Sequence, residues 1–251
     1  AVKDGKVTFD TDEDTLRKLW ENYYVPMVQG HFGAYGKFRS DDVKTGDLIA
    51  LVGSTSGAAY FPTQVTISDT ESYQIETLVL PPPVFKDGSP YAVQQGAGMV
   101  VVKSDEKREY ASVEFLKWFT RKENNLRFVC ESAYLPVRKY SNSVEALDEI
   151  IKDKDLKVND KAYQCLDSIL SSYDLTSFYT PKCFENGYAA RKILDYDLSD
   201  KAAEDKAKVD EMTAGGMSRA EATALFTTDE AFEQWYEQWN TKLENAAFQN
   251  N

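Results

Sequence analysis

The sequence predicts a helix-rich α/β protein with a small sheet. Three observations predict it: apolar residues recur at helical spacing along most of the chain, only three short stretches read as strands, and capping signals open several of the periodic segments. The 251 residues are enough for one or two compact units that bury a core without staples. With 42% hydrophobic residues, 28% charged residues and a mean hydropathy of -0.50, the composition is that of a soluble globular protein and not of a disordered chain.

The first element is a helix. Asp10, Thr11, Asp12 and Glu13 supply cap candidates and negative charge where the helix dipole favours it. Leu16, Leu19, Trp20, Tyr23, Tyr24 and Met27 then fall on one wide apolar face, with Pro26 placed to kink the last turn and Gly30 to end it. Residues 47–52 read as a short buried strand running into Gly53-Ser54-Thr55-Ser56-Gly57, and 73–80 and 98–102 read as two more. Between those two, the Pro-rich residues 81–90 exclude both helix and central strand and mark a crossing between domains.

From Ser104 onward the chain reads mostly as helix. Ser104 is placed to cap a segment carrying Ala111, Phe115, Leu116 and Phe119 on one side, and Leu126, Val129 and Cys130 define a shorter second helix. Residues 133–137 break the pattern. Helices follow at 144–151 and 163–173, then an aromatic loop at 177–181. The charged stretch 195–210 reads as a solvated helix face. Two capping-box patterns, Ser218-x-x-Glu221 and Thr227-x-x-Glu230, come next, the second opening a helix with Phe232, Trp235, Tyr236, Trp239 and Leu243 on one face.

Composition also excludes functions. A net charge of -12 and a pI near 4.7 repel phosphate backbones and anionic membranes, which removes nucleic-acid binding and a basic membrane-surface module. No apolar run is long enough to span a bilayer. Three cysteines (Cys130, Cys165, Cys183) are no disulfide framework, although one pair could close, and no C-x-x-C or H-E-x-x-H spacing is present to hold a metal. A triad mechanism would have to pass through the single histidine, His31, which sits in a connection after the first helix and reads as an exposed loop residue. The start of the chain has no apolar leader core, which leaves a cytosolic protein, a removed leader or a fragment open.

The candidate ligand groups are polar and aromatic. Gly53-Ser54-Thr55-Ser56-Gly57 is no hydrolase elbow, because Thr55 stands where that turn needs serine. The hydroxyls of Ser54, Thr55 and Ser56 at a helix start suit a hydroxyl-rich or anionic solute, although an ordinary capped turn has the same composition. In Gln94-Gln95-Gly96-Ala97-Gly98 the Gln95 amide both donates and accepts, and Gly96 permits close backbone approach; a strand-entry bend would read alike. Of the 15 tyrosines and 13 phenylalanines most sit at helical spacing and read as core, while loop rings such as Tyr134, Phe178 and Tyr179 are better placed for a ligand. The carboxylates show no spacing that singles out a catalytic pair.

A series of segments in one order then carries a resemblance. Gly46-Asp47-Leu48-Ile49-Ala50-Leu51-Val52-Gly53, Leu80-Pro81-Pro82-Pro83, Gln95-Gly96-Ala97-Gly98-Met99-Val100-Val101, Ala111-Ser112-Val113-Glu114-Phe115-Leu116-Lys117-Trp118-Phe119 and Ala133-Tyr134-Leu135-Pro136-Val137 resemble, in register, the extracellular solute-binding proteins of ABC transporters, in their family-1, maltose-binding-like group. The resemblance implies an α/β, two-lobed, periplasmic-binding-protein-like fold of type II. The first lobe would be incomplete in this chain, which would be the C-terminal portion of a longer protein and would bind weakly, if at all, alone. Residues 1–82 would open the second lobe, 83–137 would return to the first, and 138–251 would supply the second lobe's C-terminal helices.

The function implied is the capture of a sugar or oligosaccharide in an interlobe cleft, outside the cytoplasm, periplasmic or lipid-anchored. Delivery to a membrane permease would follow, by a monomer with no catalysis, metal or cofactor. Ser54, Thr55, Ser56, Gln95 and Gly96 would bond the solute, with Tyr134, Phe178 or Tyr179 packing on it. Ser54 and Thr55 stand where the family often has an aromatic after the strand glycine. The alternatives are a solute-binding protein for a non-sugar polar solute, a secreted glycoside hydrolase working through two carboxylates, and a helical interaction module.

Overall fold

The computed structural model describes residues 2, 3 and 6–248, with the side chains of Lys3 and Lys6 left aside. The leader test on residues 1–6 therefore falls partly outside the described residues. In chain order the elements are β1 (Val2–Lys3), β2 (Lys6–Val7), α1 (Glu13–Leu19), a π turn (Trp20–Tyr24), α2 (Val25–Gln29), α3 (Arg39–Lys44), a 3-10 turn (Thr55–Tyr60), β3 (Gln64–Ser68), β4 (Glu71–Gln74) and β5 (Tyr91–Val93). There follow α4 (Glu106–Phe119), α5 (Lys122–Ser132), α6 (Val144–Lys154), α7 (Asp160–Ser171), β6 (Ser177–Tyr179), α8 (Gly187–Ala214), α9 (Arg219–Ala224) and α10 (Asp229–Phe248). The chain is thus a helix-rich α/β protein with small sheets. Two compact units divide it: residues 1–34 with 181–251, and residues 35–180.

The first unit is built around the predicted N-terminal helix. Asp12 caps it, accepting from the Thr15 backbone N–H at 2.9 Å. Pro26 has no N–H to continue the ladder, and the turn before it widens so that the Val25 N–H reaches back to the Trp20 carbonyl. Gly30 ends the helix in the left-handed conformation at φ 86. Leu16, Trp20, Tyr24, Met27 and Val28 are buried against Ala190, Ala202 and Val209 of α8, Ala222 of α9 and Phe232, Trp235, Trp239 and Leu243 of α10. Trp20 stacks on Tyr24 with ring centres 3.7 Å apart, and Phe232 meets Trp20 edge-on at 5.6 Å.

Two local expectations change in this unit. The stretch 195–210 is helical but not wholly solvated, since Ala202, Asp205 and Val209 are buried. A small alanine and an ion-paired aspartate give a buried stripe little apolar signature. The box at Ser218 and Glu221 forms in full. At the start of α10, however, Thr228 caps by accepting from the Ala231 N–H at 3.1 Å, while the Thr227 hydroxyl donates to the Thr223 carbonyl.

The second unit buries Leu126, Val129 and Cys130 of α5, Ala146, Leu147 and Ile150 of α6, and Ala162, Leu166 and Leu170 of α7, with Ala58 and Ala133. The helices read from the sequence are present here, and α4 is capped by Asp105, one residue after Ser104. The strands differ. Residues 47–52 form none: Ile49 is 99% exposed, and the backbone N–H groups of Asp47 and Leu48 turn back to the Asp42 carbonyl instead of entering a ladder. Of 73–80 only its first two residues lie in a strand, β4, which pairs antiparallel with β3 through Val65↔Tyr73 and Thr66↔Ser72. Residues 98–102 form no strand, with Val100 and Val102 exposed. Among the described residues the sheets are three two-stranded pairs, not one small sheet, because the runs 47–52 and 98–102 enter no ladder and 73–80 pairs only at its start. Residues 81–90 are irregular, as their prolines require.

Candidate functional site

The aromatic stretch 177–181 is not a loop at its start. Its first three residues are β6, which runs parallel to β5 in the register Tyr91↔Ser177, Ala92↔Phe178 and Val93↔Tyr179. The ends are sealed by backbone bonds. Ser177 N–H donates to the Pro90 carbonyl at 2.9 Å, and Gln94 N–H donates to the Tyr179 carbonyl at 2.7 Å. Pro90 offers only a carbonyl before β5 and Pro181 offers no N–H after β6, which keeps the pair short. The Thr180 hydroxyl adds a long bond to the Gln94 carbonyl at 3.5 Å.

This pairing brings Gln94, the residue after β5, onto the Tyr179 carbonyl, and Gln95 and Gly96 follow it in the chain, the Gln95 N–H turning back to the Val93 carbonyl at 3.2 Å. It also separates the two predicted rings. Side chains alternate across a strand, so Tyr91, Val93, Ser177 and Tyr179 share the open face, while Ala92 and Phe178 are half-buried on the other. Phe178 packs there against Tyr173, ring centres 4.9 Å apart. Tyr91, Ser177 and Thr180 were not among the residues picked from the sequence. The signal for them was period-two alternation in Tyr91-x-Val93 and Ser177-x-Tyr179, too short to stand out from a loop.

Ser54, Thr55 and Ser56 open the 3-10 turn. No strand precedes them, and no Ser54 side-chain bond caps the turn; the Ser54 and Ser56 hydroxyls meet each other at 3.1 Å. Ala58 seats this turn on α7. Beyond it, the Lys161 ammonium donates to the Phe61 and Pro62 carbonyls at 2.8 and 2.7 Å, and desolvation holds its pKa below the ordinary lysine value.

Tyr134 follows Ala133, whose left-handed φ of 55 ends α5. Its ring lies 6.0 Å from Phe128, which meets Phe119 edge-on at 5.1 Å. Among the described residues no hydrogen bond or ring contact joins Ser54–Ser56, the Gln95–Tyr179 group and Tyr134 to one another.

Two surface hollows are lined by other residues. One, of about 540 Å³, lies between Met99, Val100 and Val101 and the α4 residues Ala111, Phe115 and Leu116; the other, of about 490 Å³, lies among Met212, Met217 and Leu225. Among the described residues no three His, Cys, Asp or Glu side chains converge as a metal site, and the three cysteines are free. His31 is exposed just after α2. No described helix is long and apolar enough to cross a membrane.

Comparison with known proteins agrees with a binding role. The pattern of the family described as bacterial extracellular solute-binding protein matches residues 1–158, a span that includes Ser54–Ser56, β5, Gln95, Gly96 and Tyr134 and stops before β6. Neither the curated proteins nor the solved structures yield a match. The family works outside the cytoplasm by binding a small-molecule solute and is not enzymatic, which removes the glycoside-hydrolase alternative. Matched over well more than half of its length, the chain belongs to the bacterial extracellular solute-binding protein family.

Proposed function

We propose that this protein captures a sugar or oligosaccharide and delivers it to the permease of an ABC importer. The observation that carries the reading is the β5–β6 pairing. It pairs residues 91–93 with 177–179, within two stretches, 89–102 and 175–181, that contain no charged residue in a chain that is 28% charged. What they offer instead are amides, hydroxyls and phenols, at Gln94, Gln95, Ser177, Tyr179 and Thr180. Such groups donate and accept without imposing a charge, which matches a neutral, hydroxyl-rich solute. Tyr179 supplies a flat ring, and Gly96 lets the backbone approach the ligand. The Ser54–Ser56 hydroxyls and Tyr134 are further polar and aromatic contacts, and Phe178 supports Tyr179 from the opposite face of its strand.

The test is ligand-observed NMR on the full chain with neutral mono- and oligosaccharides, amino acids and phosphate esters, each at millimolar concentration so that weak binding registers. Saturation transfer to at least one neutral sugar, and to neither of the other classes, is the expected result. A panel in which every sugar is silent refutes the reading.

A further inference from the structure

We propose that Tyr91 and Tyr179 form a two-ring platform on the open face of the β5–β6 pair that holds successive rings of a neutral saccharide. The inference rests on the sugar reading above and names the residues and ligand length that go with it. Tyr91 lies opposite Ser177, and Tyr179 lies opposite Val93, so the two tyrosines are diagonal neighbours on one face. Strand spacing and rise place such diagonal positions about 8 Å apart, too far for one sugar ring to cover both. Both rings are open to solvent, Tyr91 at 67% and Tyr179 at 50% exposure, whereas Ala92 and Phe178 between them turn to the other face.

Charge decides the occupant. The chain carries a net charge of -12, yet neither strand nor its flanking residues 89–102 and 175–181 hold an ionised group. An anionic solute would meet the repulsion of the whole protein with no cation in these two stretches to offset it, and a cationic one would find no carboxylate in them. A neutral polyol loses nothing there. Its ring faces cover the phenol rings, while the Ser177 hydroxyl on the same face bonds its rim.

The experiment measures binding of glucose, its α-1,4 and β-1,4 di- and trisaccharides, and glucose 6-phosphate by the full chain and by Tyr91→Ala, Tyr91→Phe, Tyr179→Ala and the control Tyr110→Ala, an exposed ring on α4. Unfolding midpoints are measured for each. The expected result is that at least one trisaccharide binds more tightly than glucose. Each alanine variant on the platform loses about fivefold or more on that trisaccharide, the size of one aromatic contact. The loss on glucose is smaller, Tyr91→Phe stays near the parent, and Tyr110→Ala and every unfolding midpoint are unchanged. Glucose 6-phosphate binds more weakly than glucose. Saccharide binding that survives Tyr91→Ala at full strength overturns the platform and leaves the sugar reading intact, as does equal binding of the phosphate ester. No binding of any neutral saccharide by the parent chain overturns both.

Discussion

The Tyr24 hydroxyl donates to Asp205 Oδ2 at 2.7 Å, joining the N-terminal helical segment to α8 across 181 residues of sequence. Asp205 is buried, and it also takes the Lys201 ammonium at 2.7 Å and the Lys208 ammonium at 3.1 Å. Both oxygens of the buried carboxylate are therefore hydrogen-bonded within one unit of the chain.

Removing the hydroxyl alone tests the bond with little change in packing. Tyr24→Phe keeps the stack on Trp20 and costs about 1–2 kcal/mol, because a donor to a charged acceptor is lost. Asp205→Ala costs more, since it removes the acceptor shared by Tyr24, Lys201 and Lys208 and leaves the Tyr24 hydroxyl only its longer bond to the Phe226 carbonyl at 3.2 Å. Urea unfolding of the two variants at pH 7 gives the order; equal losses would mean that the network contributes no more than the single tyrosine bond.

The same carboxylate sets a pH dependence. Desolvation acts to raise the Asp205 pKa, but the hydrogen bonds from Lys201, Tyr24 and Lys208 and the Lys201 charge outweigh it and hold the folded value below the ordinary carboxylate range. A depressed folded pKa means that the unfolded chain takes up the proton first. The stabilisation is therefore complete above about pH 4 and is lost as the pH falls further, through the folded value. Asp205→Asn lacks this titration. The stability gap between the parent and that variant, followed by urea unfolding from pH 7 to pH 3, is constant down to about pH 4 and narrows below it; a gap that stays constant to pH 3 contradicts the assignment.

At the start of α10 two adjacent threonines give a paired test. Thr228 accepts from the Ala231 N–H, whereas Thr227 only returns its hydroxyl to the preceding turn at Thr223. Thr228→Ala costs about 1 kcal/mol, the size of a lost N-cap, and Thr227→Ala costs less. Thermal unfolding of both variants reads the difference, and the reverse order would restore Thr227 as the cap.

These cases show why helices were legible here and strands were not. A helix satisfies its own backbone, so the spacing of Leu16, Trp20, Tyr24 and Met27 and the Ser218–Glu221 box were sufficient to place their segments. A strand needs a partner that local sequence does not name. The apolar run at 47–52 found none, while the unremarkable Tyr91–Val93 and Ser177–Tyr179 found each other although far apart in the sequence of their unit. The candidate site shares that history. Tyr179 was visible as a residue type, but its place beside Val93 and Gln94, the outward turn of Tyr91 and the inward turn of Phe178 follow from a parallel register alone.

The cysteines separate by exposure. Burial pushes the Cys130 thiol up to about 11 and raises that of the half-buried Cys165, while Cys183 is exposed. Because the thiolate is the reactive form, a disulfide reagent at pH 8 modifies Cys183 first, Cys165 more slowly and Cys130 only as the chain unfolds. Mass-mapped labelling over time, with and without urea, checks the order. Early modification of Cys130 in the native protein would mean that the helix cluster around Leu126 and Val129 opens far more readily than its packing implies.

Gly30 carries the last expectation. Its φ of 86 lies where a side chain is strained, and a Cβ there would stand 3.2 Å from Arg219 Nη1. That nitrogen is buried without a hydrogen-bond partner, while Nη2 of the same guanidinium holds Asp210 at 2.6 Å. An alanine at 30 therefore adds left-handed strain of about 1–2 kcal/mol and crowds an arginine whose other arm is already committed. At Gly57 a Cβ meets open space and the backbone has no left-handed φ, so Gly57→Ala serves as the matched control. Urea unfolding is expected to show Gly30→Ala destabilised by at least the strain alone and Gly57→Ala within about 0.5 kcal/mol of the parent, the range of ordinary surface changes. If the two alanines behave alike, the left-handed cap is not what ends this helix.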